Sequence, residues 1–324
     1  MKHRLLGLVI FLTPLVAWPN VKGLPALSIK SGETSISGLS SGGALAVQYG
    51  VAHSSKVKGI AVIAGIPYYC AQDSIFTALT TCMKGEPNVD DLIHFTQQVK
   101  SKQLIDDTKH LNSKRIWLFS GTKDDTVKPI VMDATKDYFA AYTTGKNIRY
   151  VNEVPSGHAF VTDNYGSDCE STQAPFINDC DYDSAKQLLT WIYGSLKPKT
   201  TVKSRGLIEF DQTPYIAQGS CMADSGFVYV PENCASGGCR LHIALHGCKQ
   251  NIGKIGSTFA SKAGFNAWAE SNDIVVLYPQ TKKRWFNPTA CWDWWGYTDS
   301  NYAYKTGKQI QAIYNMTQAL SVSP

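Results

Sequence analysis

This chain has no block of basic residues. Its 324 residues carry 31 Lys and Arg against 26 Asp and Glu, a formal net charge of +5, which leaves no electrostatic footprint for nucleic acid. It has no C-x-x-C pair. Apart from His246 beside Cys248, no histidine stands at zinc spacing from a cysteine, so no metal site and no cofactor is expected. Internal repeats, low-complexity spacers and a Ser- or Thr-rich linker to a further module are also missing. Charged residues make up only 18 %, fewer than in an average soluble domain. No apolar run is long enough to be a typical membrane span.

The longest such run lies at the start, in MKHRLLGLVIFLTPLVAWPNVKG. A basic beginning, a short apolar stretch and then small and polar residues give the layout of a secretory signal peptide. It is expected over residues 1–23, with cleavage after Ala17 or Gly23; an uncleaved anchor is the competing reading. Residues 24–324 are expected to form a single catalytic domain without a separate substrate-binding module. At 44 % hydrophobic residues the chain can bury one large core or two modest ones.

Cysteine usage agrees with export. There are nine, and the close pairs Cys70/Cys82, Cys169/Cys180 and Cys234/Cys239 fit disulfide-closed loops of a secreted protein, periplasmic or extracellular. Nine is odd, and Cys221 is the expected leftover.

Strand-like and helix-like segments alternate. GIAVIAG (59–65), RIWLFSG (115–121) and IRYVNEV (148–154) read as buried strands. Between and after them, DDLIHFTQQVKSKQ, IVMDATKDYFAAY and SAKQLLTWIYGSL have helical character. FVYVP (227–231), RLHIALHG (240–247) and DIVVLYPQ (273–280) are again strands, with the helix-like FASKAGFNAWAESN before the last. The basic stretch 196–206 resembles a linker, but the strands beyond it continue the same rhythm. A mostly parallel sheet covered by helices is expected.

Gly38-Leu39-Ser40-Ser41-Gly42 sits between a β-prone run and the helix-like ALAVQYGVA. That is the strand–turn–helix context of a nucleophile elbow, with Ser40 flanked by glycine at −2 and +2. A lone G-x-S-x-G is weak, so it needs an acid and a histidine in later strand-end loops, in that order. RIWLFSG runs into Thr122-Lys123-Asp124-Asp125 and IRYVNEV into Pro155-Ser156-Gly157-His158. The G-x-x-D-x-x-V spacing resembles the acid loop of α/β-hydrolases and favours Asp124; Asp125 stays its rival. His158 is the expected base, activating the Ser40 hydroxyl, and the Ser41 amide is an expected oxyanion donor. His246-Gly247-Cys248 looks like the loop that supplies the second donor, yet it lies late in the chain. A circular permutation accounts for this, because moving strands 227–280 ahead of residue 30 restores the ordinary hydrolase order.

SGLSSGGALAVQ, GIPYYCA, SGTKDDTV, PSGHAF, GFVYVPENC, LHIALHGCKQN, IVVLYPQ and NPTACWDWWGY together resemble the single-domain poly(3-hydroxybutyrate) depolymerases, which are circularly permuted α/β-hydrolases. The resemblance spans nearly all of residues 24–324. It implies a secreted serine esterase acting through an acyl-enzyme, with Ser40, Asp124 and His158 catalytic and the Ser41 and Cys248 amides as the oxyanion hole. It also implies that Trp294 or Trp295 lines the substrate cleft, where rigid aromatic faces suit a hydrophobic polyester. A Cys248–Cys291 disulfide would bring these tryptophans beside the oxyanion loop. Cys221 departs from the family pattern and has no role in it. The expected partner is the polymer, with no nucleic acid and no membrane span after signal removal, and the expected state is a monomer. The rival readings are a secreted feruloyl- or acetyl-esterase acting on polysaccharide esters and a catalytically silent polymer-binding protein.

Overall fold

The computed structural model describes residues 23–323. The expected signal peptide, all but Gly23, lies outside the described residues. Among the described residues, no helix is long and apolar enough to cross a membrane.

In chain order the first half gives β1 (Thr34–Leu39), α1 (Ser41–Ala52), β2 (Val57–Ile63), α2 (Ile75–Leu79), α3 (Thr81–Lys84), α4 (Val89–Ser101), β3 (Arg115–Phe119), α5 (Pro129–Ala140) and β4 (Ile148–Val151). Three short strands come next, β5 (Phe160–Thr162), β6 (Ser167–Asp168) and β7 (Ile177–Asp179), and then α6 (Ser184–Tyr193). The remainder is β8 (Leu207–Asp211), β9 (Ser225–Tyr229), β10 (Arg240–Leu245), α7 (Ile252–Ile255), α8 (Thr258–Lys262), α9 (Phe265–Asn272), β11 (Ile274–Tyr278) and α10 (Lys308–Ser321).

The main sheet runs β4-β3-β2-β1-β10-β11-β9-β8. Every pairing from β4 to β11 is parallel; β9 is antiparallel to both its neighbours. Residues from opposite ends of the chain meet at its centre, where Ser37 is registered against Ala61 on one side and Ala244 on the other. Placing β8–β11 ahead of β1 gives a hairpin, the His-Gly strand, then the serine, acid and histidine strands. The sheet is that of an α/β-hydrolase entered at a permuted point.

Local chemistry explains the flanking elements. α6 begins at Asp183, whose side chain accepts the Lys186 N–H, and ends at Gly194 with φ 88°. It buries Ala185, Leu188, Leu189 and Ile192, the helical spacing that makes one apolar stripe. α1 differs: all twelve of its residues are buried, so it has no polar face. It packs against β1, β2 and β10 and brings Ser40 with it.

Some expectations needed correction. IRYVNEV leaves the sheet after Val151, and the Val154 carbonyl turns to accept the Thr122 N–H of the acid loop. FASKAGFNAWAESN is two helices, broken by Gly264 at φ 86°. The sequence pattern gives no warning of β8, a half-exposed edge strand, or of α10, whose apolar stripe lies among polar residues. Nor does it announce the small sheet β5-β7-β6, whose strands are too short to leave a pattern.

Candidate active site

Ser40 stands between the last residue of β1 and the first of α1 with φ 57° and ψ −121°, a conformation that costs a non-glycine residue free energy. Two hydrogen bonds hold it there. Its N–H donates to the Ile63 carbonyl and its carbonyl accepts the Ala44 N–H, each at 2.9 Å. The flanking glycines are needed for space. A Cβ on Gly38 would come within 2.1 Å of the Gly42 carbonyl oxygen, and one on Gly42 within 2.4 Å of the His246 carbonyl oxygen. The G-x-S-x-G spacing thus reflects two close backbone approaches.

Asp124 is buried in the loop after β3. Its Oδ1 accepts the N–H groups of Thr126 and Val127 at 2.8 and 2.9 Å, and its Oδ2 lies 2.7 Å from His158 Nδ1. Because an ionised carboxylate only accepts, Nδ1 carries the proton and Nε2 is the basic nitrogen of the neutral ring. The His158 N–H donates to Thr172 Oγ1 at 2.9 Å. Asp125 is exposed, and Asp124 is the carboxylate that meets the histidine.

The loop after β10 holds its amides selectively. Gly247 N–H donates to Gln250 Oε1 at 2.6 Å, Lys249 N–H to the Thr289 carbonyl at 2.7 Å and Gln250 N–H to the Gly247 carbonyl at 3.3 Å. Between them, the Cys248 N–H has no acceptor among the described residues. Ser41 opens α1, so its N–H lacks a partner inside the helix. His246 is buried and keeps this loop in shape. Its Nδ1 donates to the Gly247 carbonyl at 2.7 Å, leaving Nε2 3.3 Å from the Thr281 N–H. Burial lowers its pKa to about 4, despite that hydrogen bond to Gly247.

Ser40, Ser41, His158 and Cys248 all line one cleft of about 440 Å³, and Trp294 and Trp295 line it too. Cys248 is disulfide-bonded to Cys291, which ties the tryptophan segment to the loop after β10. The three local pairs also form disulfides, and Cys221 is free and buried. Among the described residues, no group of three His, Cys, Asp or Glu could hold a metal ion.

The profile of a family described as Esterase PHB depolymerase matches residues 225–320. A polyhydroxybutyrate depolymerase of Talaromyces funiculosus is 36 % identical over 317 residues, covering 92 % of each chain. The chain belongs to the PHB depolymerase family. A poly(3-hydroxybutyrate) depolymerase of Delftia acidovorans is 42 % identical over 306 residues; the match covers 92 % of this chain but 61 % of that protein, so the chain spans about three fifths of that relative's length. Two solved structures superpose with a TM-score of 0.87 at 35 % identity, over 94 % of this chain and all of theirs. One is the PHB depolymerase from Penicillium funiculosum, and the other is a serine-to-alanine variant of a PHB depolymerase complexed with an R3HB trimer.

Three residues that shape the site in this family member carry no clear sequence signature of that role. Asp293 is buried, and its carboxylate accepts the N–H groups of Gly296, Tyr297 and Thr298 at 2.8, 3.0 and 2.8 Å, fixing the loop that presents Trp294 and Trp295. Burial raises its pKa, and these bonds oppose the rise. Asn287 binds both the N–H and the carbonyl of Cys291 at 3.0 and 2.9 Å. Gln250 is the third. An Asp with Gly three residues later, amid aromatics, was the available signal for a carboxylate-centred turn; neither amide residue has one.

Proposed function

We propose that the chain is a secreted carboxylic ester hydrolase that cleaves poly(3-hydroxybutyrate), or a related short-chain polyhydroxyalkanoate, through an acyl-enzyme. The observation that carries this reading is the 2.7 Å contact of His158 with Asp124, made by a histidine that lines the same apolar cleft as Ser40. His158 Nε2 takes the proton as Ser40 Oγ attacks the ester carbonyl, and Asp124 stabilises the imidazolium that forms. The tetrahedral oxyanion is received by the free amides of Ser41 and Cys248, in a site where such donors are commonly worth about two to three orders of magnitude each. His158 returns the proton to the departing hydroxyl of the polymer. Water, deprotonated by the same nitrogen, then releases the hydroxyacyl unit from Ser40.

The cleft wall favours an apolar chain. Ile75, Leu79 and Phe286 line it and are 48, 52 and 40 % exposed at its mouth. Trp294 and Trp295 form its aromatic side. Residues 24–324 act as one catalytic unit, a reading supported by the single sheet that takes its centre from both halves. All the groups the chemistry needs come from one chain, which supports action as a monomer. Four disulfides fit an oxidising compartment.

The test is clearing of an amorphous poly(3-hydroxybutyrate) suspension, with Ser40→Ala and p-nitrophenyl butyrate alongside. Clearing that vanishes in the variant is expected. Ser40-dependent cleavage of the small ester without clearing would keep the hydrolase and remove the polymer as substrate.

A further inference from the structure

Gln250 is 1 % exposed and no reaction step uses it. Its amide nevertheless joins the two loops on which the proposed chemistry depends. On one side Oε1 accepts the Gly247 N–H at 2.6 Å, within the oxyanion loop. On the other, Nε2 donates to the carbonyls of Pro175 and Phe176 at 2.8 and 3.0 Å. Those two residues lie in the segment behind the histidine: Thr172, three positions earlier, accepts the His158 N–H, and the Phe176 carbonyl also accepts the Phe160 N–H at 2.9 Å. Phe176 itself lines the cleft with φ 56°, a strained position for a bulky residue that needs its surroundings to hold it.

We infer that Gln250 is a positioning residue that fixes the oxyanion loop and the His158 loop in one relation to each other. This rests on the proposed roles of Ser40, His158 and the Cys248 amide. The chemistry of the side chain suits the task. Only a primary amide presents one acceptor and two donors from a single rigid plane, and here both donors and the acceptor are used. Occupying the Gly247 N–H also has a consequence for the neighbouring residue. It fixes the His246–Gly247 peptide, while the next peptide, which carries the Cys248 N–H, is held through its Gly247 carbonyl by His246 Nδ1 and the Gln250 N–H. With both peptides set, the Cys248 N–H stays free for the oxyanion. Because oxyanion donors act within a few tenths of an ångström and the base must reach Ser40 Oγ at hydrogen-bond distance, a tie between the two loops bears on the transition state more than on substrate binding.

The test uses steady-state hydrolysis of p-nitrophenyl butyrate by full-length protein, with melting temperatures measured in parallel. Gln250→Leu is expected to lower kcat by about tenfold or more, up to the loss of one oxyanion donor, with KM within about twofold. Gln212→Leu is the control. That residue is as buried, and bonds the Ala223 and Gln280 carbonyls and the Gln280 N–H, but neither of those partners lines the cleft as Gly247 and Phe176 do. It is expected to lose stability while keeping kcat. Gln250→Glu provides a second readout. Protonated, its carboxyl keeps the acceptor for Gly247 and one donor for the Pro175 or Phe176 carbonyl; ionised, it places charge against both carbonyls. Its kcat relative to the parent should therefore rise as pH falls.

A Gln250→Leu kcat within twofold of the parent, or equal kcat losses in the Gln250 and Gln212 variants, would overturn the inference. If Gln250→Leu does not fold, a pH-independent Gln250→Glu ratio overturns it instead. Failure of the functional reading is seen separately, as ester hydrolysis that survives Ser40→Ala.

Discussion

Two serine–histidine sites are built on the same strand. In the middle of β1, the His242 ring sits between Ser35 Oγ, 2.7 Å from Nδ1, and Ser37 Oγ, 2.8 Å from Nε2. At its carboxyl end, Ser40 shares a cleft with His158. By distance alone the first site looks the better catalyst. Among the described residues it has no carboxylate partner, and burial alone lowers the His242 pKa to about 3. A base that cannot become imidazolium cannot take a serine proton. His158 has Asp124 behind it and open space before it. The difference teaches that the strand end supplies what a serine–histidine contact lacks, namely an acid from a neighbouring loop and access for substrate.

Substitution separates the two sites sharply. Ser40→Ala is expected to lower kcat for p-nitrophenyl butyrate by about four orders of magnitude or more, whereas Ser37→Ala should leave it within about twofold. A Ser37 effect approaching that of Ser40 would reverse the assignment. Asp124→Asn comes next, with a loss of about 10⁴-fold, because the amide cannot stabilise the imidazolium and favours the wrong tautomer. Asp125→Asn, on an exposed neighbour, is the internal control and should stay within about twofold. Equal losses for the two aspartates would undo the geometric choice between them.

The buried histidines predict a pH response of the fold distinct from that of catalysis. Burial lowers His242 to about 3, and His246 and His53 to about 4, against about 6.5 in an unfolded chain. The unfolded state therefore binds more protons between these limits. Stability from the three neutral rings is complete above about pH 6.5 and is lost as pH falls toward their folded pKa values. The melting temperature should be level from pH 7 to 8 and decline steadily between pH 6.5 and 4. His53→Phe keeps a ring to stack on Tyr314, now 4.6 Å away, and should make that decline shallower. A melting temperature that is flat down to pH 4 would contradict the burial of these rings as neutral groups.

How far the sequence foretold all this depends on what each residue does locally. The strands of the parallel sheet were legible because they are buried on both faces and read as continuous apolar runs. Ser40 was legible because its two glycines answer local steric demands. Spacing favoured Asp124 over Asp125, but the rivalry ends only in three dimensions, where one side chain turns inward to His158 and the other faces water. β8 escaped because only Phe210 of its five residues is buried, and an exposed edge strand has little apolar signal. Gln250, Asn287 and Asp293 were least visible. Each acts by bonding backbone groups, which leave no mark in the residue sequence; only Asp293 carries a turn signal, in Gly296 three residues on.

The smallest expected effect lies outside both histidine sites, on exposed rings beside the cleft that do not line it. Trp285 is 89 % exposed and Phe76 76 %. Trp285 packs edge-on against Phe286 at 5.3 Å, and Phe76 shares α2 with Ile75 and Leu79, so both flank residues that line the cleft. Large rings held in water have a free-energy cost that covering them with a polymer surface recovers. Trp285→Ala and Phe76→Ala should therefore leave kcat/KM for p-nitrophenyl butyrate unchanged and slow polymer clearing by about threefold to fivefold each, on the order of 1 kcal/mol of lost contact. The slowing should disappear at saturating enzyme concentration if it reflects adsorption alone. If clearing and small-ester hydrolysis fall together, the rim is part of the cleft's own architecture and the separation between surface capture and Ser40–His158 chemistry fails.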